Sequence, residues 1–558
     1  MTEDPKKRPS DVVSTPSEDV SVKKAHVVKQ NKKAVRKYKA KAVDETSPLG
    51  VLQHEIEEVC SELKLDKQDV SNDMKEILNG DEALLETYHR VVENVEILRL
   101  TSNGDGLATI PHPDTSKKIQ IVVVPFGLPG DIVTIRVFKS HPYYVESDLL
   151  KVEQPSKSRN DGLINCRYFG KCSGCQYQNV EYDQQLLFKR DTIINAYKYF
   201  AKNIQDKLPT IDNTEPSPLQ YSYRTKLTPH FNIPFSRQRN NQPLQTRPDL
   251  GFGSKGKPTW RETDGGSGSI VDIEECSIGT PIINQGMKNE RAIFEKEFNK
   301  YKKGATILLR EDTKVVSSGE SITIDPEMGS TDDSGKVSKL EVKLENSSNV
   351  LLKTCVTKSR QIVTEYINGF TFEFSAGEFF QNNNSILPAV TNYVKSNLTI
   401  KGLEEGVENY LVDAYCGSGL FSITCSQGVS KVIGVEVSAD SVKFAERNAK
   451  LNNVENAKFI VGKAEAIFGE IDTPHAQTSV ILDPPRKGCD AVFLNQLSEF
   501  NPAKIVYISC NVHSQARDVD WFLTNTKNGH KYQVESIKGF DFFPQTHHVE
   551  SVAVLSLR

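Results

Sequence analysis

The stretch Leu411-Val412-Asp413-Ala414-Tyr415-Cys416-Gly417-Ser418-Gly419 has the pattern of a short apolar strand, a tight glycine turn and the opening of a helix. The two glycines allow a ligand to approach the backbone closely. About twenty residues further on, Glu436 ends the next predicted strand, where a carboxylate can accept hydrogen bonds from a ribose. No third glycine completes the dinucleotide fingerprint. The pattern therefore favours a nucleoside cofactor pocket over a plain turn.

From Tyr410 to the end of the chain, β-branched and apolar runs alternate with helical stretches. The predicted strands are residues 411–414, 432–437, 458–461, 480–483, 505–509 and 552–555. This alternation predicts an α/β fold with a doubly wound, Rossmann-like sheet. Ligands bind at the carboxyl ends of the strands in such a sheet. Asp483, at the end of the fourth strand, is therefore expected to close the cofactor pocket.

Two residues near the carboxyl terminus have the properties of a nucleophile and a base. Cys510 follows a predicted strand, as Asp483 does, so both are expected at the same edge of the sheet. A lone cysteine after a strand is often only a small buried hydrophobe. Glu550 begins an apolar strand, and partial burial there would raise its pKa toward that of a working base. Taken alone, Glu550 would also fit a surface carboxylate at a strand end.

Three motifs resemble the RNA 5-methyluridine methyltransferase family, which modifies tRNA and ribosomal RNA. They are Asp483-Pro484-Pro485-Arg486-Lys487-Gly488, Tyr507-Ile508-Ser509-Cys510-Asn511 and Phe543-Pro544-Gln545-Thr546-His547-His548-Val549-Glu550. The resemblance implies S-adenosylmethionine-dependent methylation of carbon 5 of a uridine. Cys510 would add to carbon 6 of the base, and Glu550 would remove the carbon 5 proton. The resemblance also implies a set of residues around S-adenosylmethionine: Gln381, Tyr415, Glu436 and Asp483.

The RNA substrate is a separate question. The Lys-rich amino-terminal arm and the polar insertions are typical of a eukaryotic, fungal member, for which the resemblance implies uridine 54 in the T-loop of tRNA. Ribosomal RNA stays open as an alternative, because a cysteine cluster in the chain is similar to that of the ribosomal-RNA branch. A third hypothesis is an RNA-binding folding factor whose methylation is secondary.

A chain of 558 residues is too long for a single core, so several domains are expected. Short alternating runs with the turns Asn103-Gly104-Asp105-Gly106 and Pro129-Gly130-Asp131 predict a small β-barrel that resembles the TRAM domain, an OB-like RNA-binding barrel. The predicted units are a disordered basic arm (1–46), a helical segment (50–89), the barrel (91–155), a mixed α+β central RNA-recognition domain (160–400) with disordered insertions near 237–247 and 329–348, and a Rossmann-like methyltransferase domain (405–558).

Three cysteines lie within ten residues, and a fourth follows about a hundred residues later. They are Cys166, Cys172, Cys175 and Cys276. Four thiolates can hold an iron–sulfur cluster or a zinc ion, and their spacing does not separate the two. The resemblance implies a [4Fe–4S] cluster. Four unligated thiols are the remaining alternative.

A net charge of −4 requires any RNA-binding surface to be local. Tyr223, Arg224 and Lys226 interleave aromatic and basic residues and are predicted to contact RNA. No apolar run approaches the ~18 residues of a membrane span, and no signal-peptide core is visible. We therefore expect an intracellular protein, in the nucleus, cytoplasm or mitochondrion. Its ten cysteines are then expected to be thiols or ligands. We also expect a monomer.

Overall fold

The computed structural model describes residues 35–558, apart from residues 41, 116–117, 234–243, 257–268, 321, 323, 345–346, 401, 404–405, 464–467 and 469–470. The predicted arm lies outside the described residues up to residue 34, and the predicted insertion at 237–247 lies outside them up to residue 243. No helix in the described ranges is long and apolar enough to cross a membrane.

The described helices are distributed over the whole chain. They are α1 (Pro48–Glu62), α2 (Met74–Asn79), α3 (Glu82–Tyr88), α4 (Tyr182–Phe200), α5 (Pro281–Glu297), α6 (Leu387–Asn397), α7 (Leu420–Thr424), α8 (Ala439–Leu451), α9 (Ala491–Phe500) and α10 (Val512–Asn525). α2 and α3 lie inside the predicted helical segment (50–89), and α1 begins two residues before it. Ser47 begins α1 by accepting a hydrogen bond from the Gly50 amide, and Pro48 occupies the first turn, where its missing N–H costs nothing.

The first five strands close into a barrel in the order β1-β2-β3-β5-β4. Their bounds are β1 (Val91–Leu100), β2 (Asp105–Pro111), β3 (Ile119–Pro125), β4 (Ile132–Ser140) and β5 (Val145–Gln154). Alternate side chains such as Val122, Val133 and Ile135 fill the interior, as a small barrel requires. Leu52 and Ile56 of α1 pack on the outside of the barrel against Ile121, so the helical segment is part of the same body.

The central region forms two four-stranded sheets, with orders β10-β7-β8-β9 and β12-β13-β11-β6. The strands are β6 (Lys226–Leu227), β7 (His230–Phe231), β8 (Gly251–Gly253), β9 (Ile270–Asp272), β10 (Ala305–Thr306), β11 (Leu309–Ser317), β12 (Lys339–Lys343) and β13 (Asn349–Val356). Ile283 and Met287 of α5 pack against Leu309 and Cys355, which joins the helix to the second sheet.

The structure corrects the prediction of a disordered insertion at 329–348. Lys339–Lys343 is the edge strand β12, and it pairs antiparallel with β13 over five residues. Val337 is buried just before it, and Leu340 packs against the apolar cluster beneath α5. An edge strand needs only one apolar residue in two, so the many charges in this segment concealed its pairing.

The carboxyl-terminal sheet has seven strands in the order β18-β17-β16-β19-β20-β22-β21. They are β16 (Tyr410–Ala414), β17 (Lys431–Glu436), β18 (Ala457–Val461), β19 (Thr478–Leu482), β20 (Lys504–Ser509), β21 (Tyr532–Phe540) and β22 (Glu550–Leu557). Strands β16 to β20 are parallel, whereas β22 is antiparallel to both of its neighbours. The order of the strands reverses at β16, and the crevice outside the carboxyl ends is the ligand-binding position of such sheets.

Helices cover both faces of this sheet, which confirms the predicted fold class. One apolar layer combines α4, α9 and α10, for example through Tyr197 and Phe493. The opposite layer combines α6 and α8 with the hairpin of β14 (Ile362–Ile367) and β15 (Phe370–Ser375). Both α4 and this hairpin precede the predicted boundary at 405. The unit built on the seven-stranded sheet thus includes elements from sequence that was predicted to belong to the central domain.

Candidate active site

The turn after β16 has the backbone geometry that a cofactor loop needs. Gly417 and Gly419 have positive φ angles of 52° and 90°, and Tyr415, which is not glycine, also has a φ of 68°. Such a conformation is uncommon for a bulky residue and clusters at functional sites. The Gly417 amide donates to Glu436 Oε2 at 3.2 Å, and the Ser438 amide donates to Oε1 at 2.9 Å. Glu436 is therefore fixed at the end of β17, facing the turn.

A cavity of about 1280 Å³ lies outside the carboxyl ends of these strands. The structure brings together on its walls all four residues that the sequence assigned to the cofactor: Gln381, Tyr415, Glu436 and Asp483. Gln381 reaches it from the segment that follows β15, about thirty residues before β16. The cavity has room for a nucleoside-sized ligand.

A second cavity of about 420 Å³ adjoins the first. Five residues border both cavities: Phe379, Gln381, Arg486, Cys510 and Glu550. The remaining wall of the second cavity includes Phe543, Thr546 and His548. Aromatic and polar side chains of this kind suit a flat heterocycle. The predicted nucleophile and the predicted base therefore lie at the junction of a cofactor-sized and a base-sized cavity.

Strand pairing explains why Cys510 and Glu550 meet although forty residues separate them. β20 ends at Ser509, and β22 runs back beside it with Ser551 opposite Ser509. Because the two strands are antiparallel, the residue after β20 and the first residue of β22 lie at the same edge of the sheet. Phe379 is the most exposed of the large apolar residues at this site, with 75% of its surface accessible.

Burial raises the pKa values of two carboxyl groups at this site. Removal from water raises the pKa of Glu550 to about 8, with Asp483 adding to the rise and Arg486 opposing it. Burial also raises the pKa of Asp483 to about 7, with Asp413 adding to it. Glu550 thus has a pKa near neutrality, which suits a group that must take up and release a proton.

The Cys510 thiol is exposed to the cavities, although their walls remove much of its hydration. This desolvation raises its pKa to about 11, with Glu550 and Asp483 raising it further and Arg486 lowering it. A thiolate is the nucleophilic form of cysteine. Cys510 is therefore mostly protonated at neutral pH, and Arg486 is the nearby charge that favours its ionisation.

The loop before Glu550 is held by buried polar contacts that the sequence did not reveal. Lys189 of α4 is completely buried, forms an ion pair with Asp541 at 2.5 Å and donates to the Phe543 carbonyl at 3.0 Å. Gln185 of α4 exchanges hydrogen bonds with Gln545, whose φ is 71°. These contacts fix the side chains that line the second cavity.

The structure differs from the predicted RNA contact at Tyr223. Its side chain is only 2% exposed, and its hydroxyl donates to the Pro544 carbonyl at 3.0 Å. Tyr223 therefore supports the loop before Glu550 and is not free to stack on RNA. Arg224 and Lys226 do border the second cavity. Arg224 lies 5.7 Å from the centre of the Phe543 ring, and Lys226 donates to the Gly377 and Glu378 carbonyls.

The four cysteines of the predicted metal site all border the second cavity. Their arrangement is that of separate thiols, and burial raises the pKa values of Cys172, Cys175 and Cys276. Throughout the described ranges, no group of three or more His, Cys, Asp and Glu side chains is placed to hold a metal ion. Four thiols are the right kind of ligand for an iron–sulfur cluster, but the positions of these four thiols do not fit one.

Sequence reasoning also missed three contributors to the site. Arg486 was noted only as the residue after Asp-Pro-Pro, although its charge acts on both catalytic groups. Asp44 borders the cofactor cavity, and the Thr46 carbonyl accepts a hydrogen bond from Asn511 Nδ2 at 3.2 Å. No local signal marked Asp44 and Thr46, because their role depends on a contact across 465 residues.

The fold and the site define a Rossmann-like methyltransferase with an amino-terminal barrel. Residues 350–558 match the family model of tRNA (Uracil-5-)-methyltransferase, and residues 86–150 match that of the TRAM domain. The tRNA (uracil(54)-C(5))-methyltransferase of Saccharomyces cerevisiae is 57% identical over 539 residues, which cover 94% of this chain and 83% of that protein. The protein of the same description from Schizosaccharomyces pombe is 45% identical, covering 83% of this chain and 77% of that protein. The chain therefore belongs to the tRNA (uracil-5-)-methyltransferase family, as its motifs predicted.

Among solved structures, the tRNA (uracil-54, C5)-methyltransferase of Pyrococcus abyssi, in complex with S-adenosyl-L-homocysteine, matches with a TM-score of 0.54. It is 22% identical in sequence, and the match covers 83% of this chain and 100% of that chain. The similarity in fold to that structure therefore covers most of this chain.

Proposed function

We propose that this protein transfers a methyl group from S-adenosylmethionine to carbon 5 of uridine 54 in tRNA. The observation that carries the proposal is the meeting of the two cavities at Cys510 and Glu550. The substrate assignment is supported by the two yeast relatives, which are both tRNA (uracil(54)-C(5))-methyltransferases. Gln381, Tyr415, Glu436 and Asp483 are the residues proposed to hold the cofactor.

The chemistry follows from the weak nucleophilicity of carbon 5. The Cys510 thiolate forms a bond from Sγ to carbon 6 of the uracil, and the electron pair of the double bond between carbons 5 and 6 moves to carbon 5 and the adjacent carbonyl, giving an enolate. When bound, S-adenosylmethionine would supply the electrophilic methyl group for carbon 5, and cleavage of its methyl–sulfur bond would leave S-adenosylhomocysteine. Glu550 then removes the carbon 5 proton, the electron pair re-forms the double bond between carbons 5 and 6, and the Cys510 thiolate leaves.

The charges of the site agree with this sequence of steps. Arg486 opposes the burial that raises the pKa values of Cys510 and Glu550, so it favours the thiolate and the carboxylate that the reaction needs. His548 borders the base-sized cavity, and burial lowers its pKa to about 4, so it is neutral there at neutral pH. A neutral imidazole can donate one hydrogen bond and accept another. His548 is thus suited to the edge of an uncharged base.

The direct test uses purified protein, labelled S-adenosylmethionine and, separately, unmodified tRNA and ribosomal RNA. We expect label in 5-methyluridine at position 54 of tRNA, and none in tRNA whose uridine 54 is replaced by cytidine. Cys510→Ala should bind the RNA without labelling it. Label in ribosomal RNA alone would overturn the tRNA assignment. Failure to label either RNA, with cofactor binding intact, would favour an RNA-binding folding factor.

A [4Fe–4S] cluster at Cys166, Cys172, Cys175 and Cys276 is a separate hypothesis. It is supported by the four thiols that border one cavity, and it requires the sulfur atoms to approach one another. Iron and sulfide analysis of protein purified without oxygen tests it, with zinc measured in parallel. About four irons and four sulfides per chain would support the cluster. A chain without iron would leave the thiols unligated.

We also propose that the protein is an intracellular monomer. All ten cysteines are free thiols in the structure, which suits a reducing compartment. Light scattering coupled to size-exclusion chromatography should give a mass near 62.3 kDa. A mass near twice this value would contradict the monomer.

A further inference from the structure

Residues 36–40 and 42–46 lie along the surface between α2 and the catalytic cavities. At one end, the Arg36 amide donates to Asn79 Oδ1 at 2.7 Å, and Asn79 Nδ2 donates to the Arg36 carbonyl at 2.9 Å. At the other end, Asp44 borders the cofactor cavity, and the Thr46 carbonyl accepts from Asn511, the residue after Cys510. The segment is thus fastened at both ends, and one end lies at the active site.

The middle of the segment passes over the barrel. Tyr38 is 44% exposed and lies close enough to Tyr144 of the barrel to add, after burial and Glu146, to the rise in the Tyr144 pKa. Eight residues separate Arg36 from Asp44, a span of at most about 28 Å. The exposed face of this segment therefore follows a path from the barrel to the mouth of the cofactor cavity.

Three cations lie on this path without a carboxylate partner. Arg36, Lys37 and Lys39 are exposed, and in the described part of the chain no Asp or Glu lies within ion-pair distance of them. Three other cations near the site already have carboxylate partners, in the pairs Lys189–Asp541, Lys255–Asp105 and Arg517–Asp518. Arg36, Lys37 and Lys39 are therefore available for an external anion.

We propose that Arg36, Lys37 and Lys39, with Tyr38 between them, form a strip that binds the phosphate backbone of the substrate RNA next to the active site. The proposal rests on the proposed function. Cations interleaved with an aromatic ring suit a phosphate backbone with a stacked base. The net charge of −4 requires such a surface to be local. The strip also precedes both matched domains, which begin at residues 86 and 350.

A phosphate-binding strip changes affinity and its salt dependence, and it leaves the chemical step alone. Each phosphate contact contributes about 0.7 to 0.9 to the slope of log Kd against log salt. Loss of three contacts should lower that slope by about 2. The methyl-transfer rate at saturating RNA should stay the same, because no residue of the strip belongs to the proposed catalytic or cofactor-binding set.

The test compares the full-length protein with the triple variant Arg36→Gln, Lys37→Gln, Lys39→Gln. We measure Kd for unmodified tRNA between 50 and 200 mM salt, and the single-turnover rate at saturating tRNA. The variant should bind about 100-fold more weakly at 50 mM salt, with a slope lower by about 2, and should keep the wild-type single-turnover rate. All three residues are exposed, so melting temperatures should agree.

The matched control is the triple variant Lys431→Gln, Lys527→Gln, Lys531→Gln. These exposed lysines lie near the opposite edge of the seven-stranded sheet, and their replacement changes the net charge by the same amount. An equal loss of affinity in this control would overturn the strip by showing a general charge effect. An unchanged Kd and slope in the first variant would also overturn it. Absence of methylation by the wild-type protein would instead contradict the proposed function.

Discussion

Glu550 acts after the bond between sulfur and carbon 6 has formed, so its loss should stop the reaction at that stage. Glu550→Gln keeps the size of the side chain but removes the acceptor for the carbon 5 proton. We expect a covalent complex between protein and RNA that survives denaturation, with turnover reduced by about 10²- to 10⁴-fold. Gel electrophoresis of labelled tRNA under denaturing conditions measures the complex.

The control for this complex is the double variant Cys510→Ala, Glu550→Gln. Without the thiol no covalent complex should form, although the RNA should still bind. Wild-type turnover in Glu550→Gln would remove Glu550 from the mechanism. A covalent complex in the double variant would identify another nucleophile.

Arg486 offers a test of the electrostatics. Its positive charge lowers the pKa values of both Cys510 and Glu550 against the effect of burial. Arg486→Gln should therefore move the rising limb of the kcat/KM profile to higher pH by roughly one unit. Arg486→Lys keeps the charge and should leave the limb close to its wild-type position. A uniform loss of activity with an unmoved profile would indicate a binding role instead.

Single residues also show how far the sequence predicts the site. Cys510, Glu550, Tyr415, Glu436 and Asp483 could be predicted because each belongs to a short local pattern at a strand end, whereas Gln381 was predicted only from the resemblance to the family. Tyr223 was misassigned, because its burial depends on the hydrogen bond from its hydroxyl to the Pro544 carbonyl, more than three hundred residues later in the chain. The place of Asp44 at the cofactor cavity had no local signal at all.

At the level of elements, α4 is the main support of the substrate loop. Lys189→Met leaves the Asp541 carboxylate buried without its partner, so we expect the free energy of unfolding to fall by about 3–5 kcal/mol. Urea denaturation measures the change. Tyr182→Phe is the milder control: it removes a hydroxyl that donates to Asp541 at 3.0 Å and accepts from the Ser217 amide at 2.8 Å, and it should cost about 1–2 kcal/mol.

The control for Lys189→Met is the double variant Lys189→Met, Asp541→Leu, whose free energy of unfolding is compared with that of the single variant. Replacing both charges with apolar groups should recover most of the lost stability, because no charge remains buried alone. A single variant as stable as the wild type would show that the pair does not hold the loop.

Elements that depend on long-range pairing were the hardest to predict. The parallel strands of the catalytic sheet are buried on both faces and therefore read as apolar runs. β12 is a charged edge strand, and its pairing with β13 is invisible in its own composition. Likewise, α4 was expected in the central domain, since nothing in its sequence says that it packs on α10 more than three hundred residues later.

At the scale of the whole molecule, a buried polar contact joins the barrel to the catalytic domain. Ser102, in the turn after β1, donates its hydroxyl to Glu55 Oε1 of α1 at 2.7 Å, and its amide donates to the same oxygen at 2.6 Å. The Ser102 hydroxyl also lies 3.3 Å from His513 Nε2, in the first turn of α10. Three separate parts of the chain therefore meet three residues from Cys510.

This contact should make the stability of the protein depend on pH. Burial raises the pKa of Glu55 from 4.5 to about 7, against hydrogen bonds from Ser102 and the charge of Arg99. Because the pKa is higher in the folded state, its contribution is fully present below about pH 4.5 and is lost as the pH rises through about 7. Above pH 7 the folded protein must bury a charged carboxylate at the junction of barrel and catalytic domain.

Glu55→Gln removes this titration while keeping an oxygen that accepts from Ser102. We expect the variant to be more stable than the wild type at pH 8 by up to about 3 kcal/mol, with the difference shrinking to near zero by pH 5. Thermal unfolding at half-unit intervals of pH measures it, and other buried carboxyls cancel in the comparison. Glu57→Gln, an exposed change on the same helix, should run parallel to the wild type. A Glu55→Gln curve parallel to the wild type would show that the junction is insensitive to the charge of Glu55.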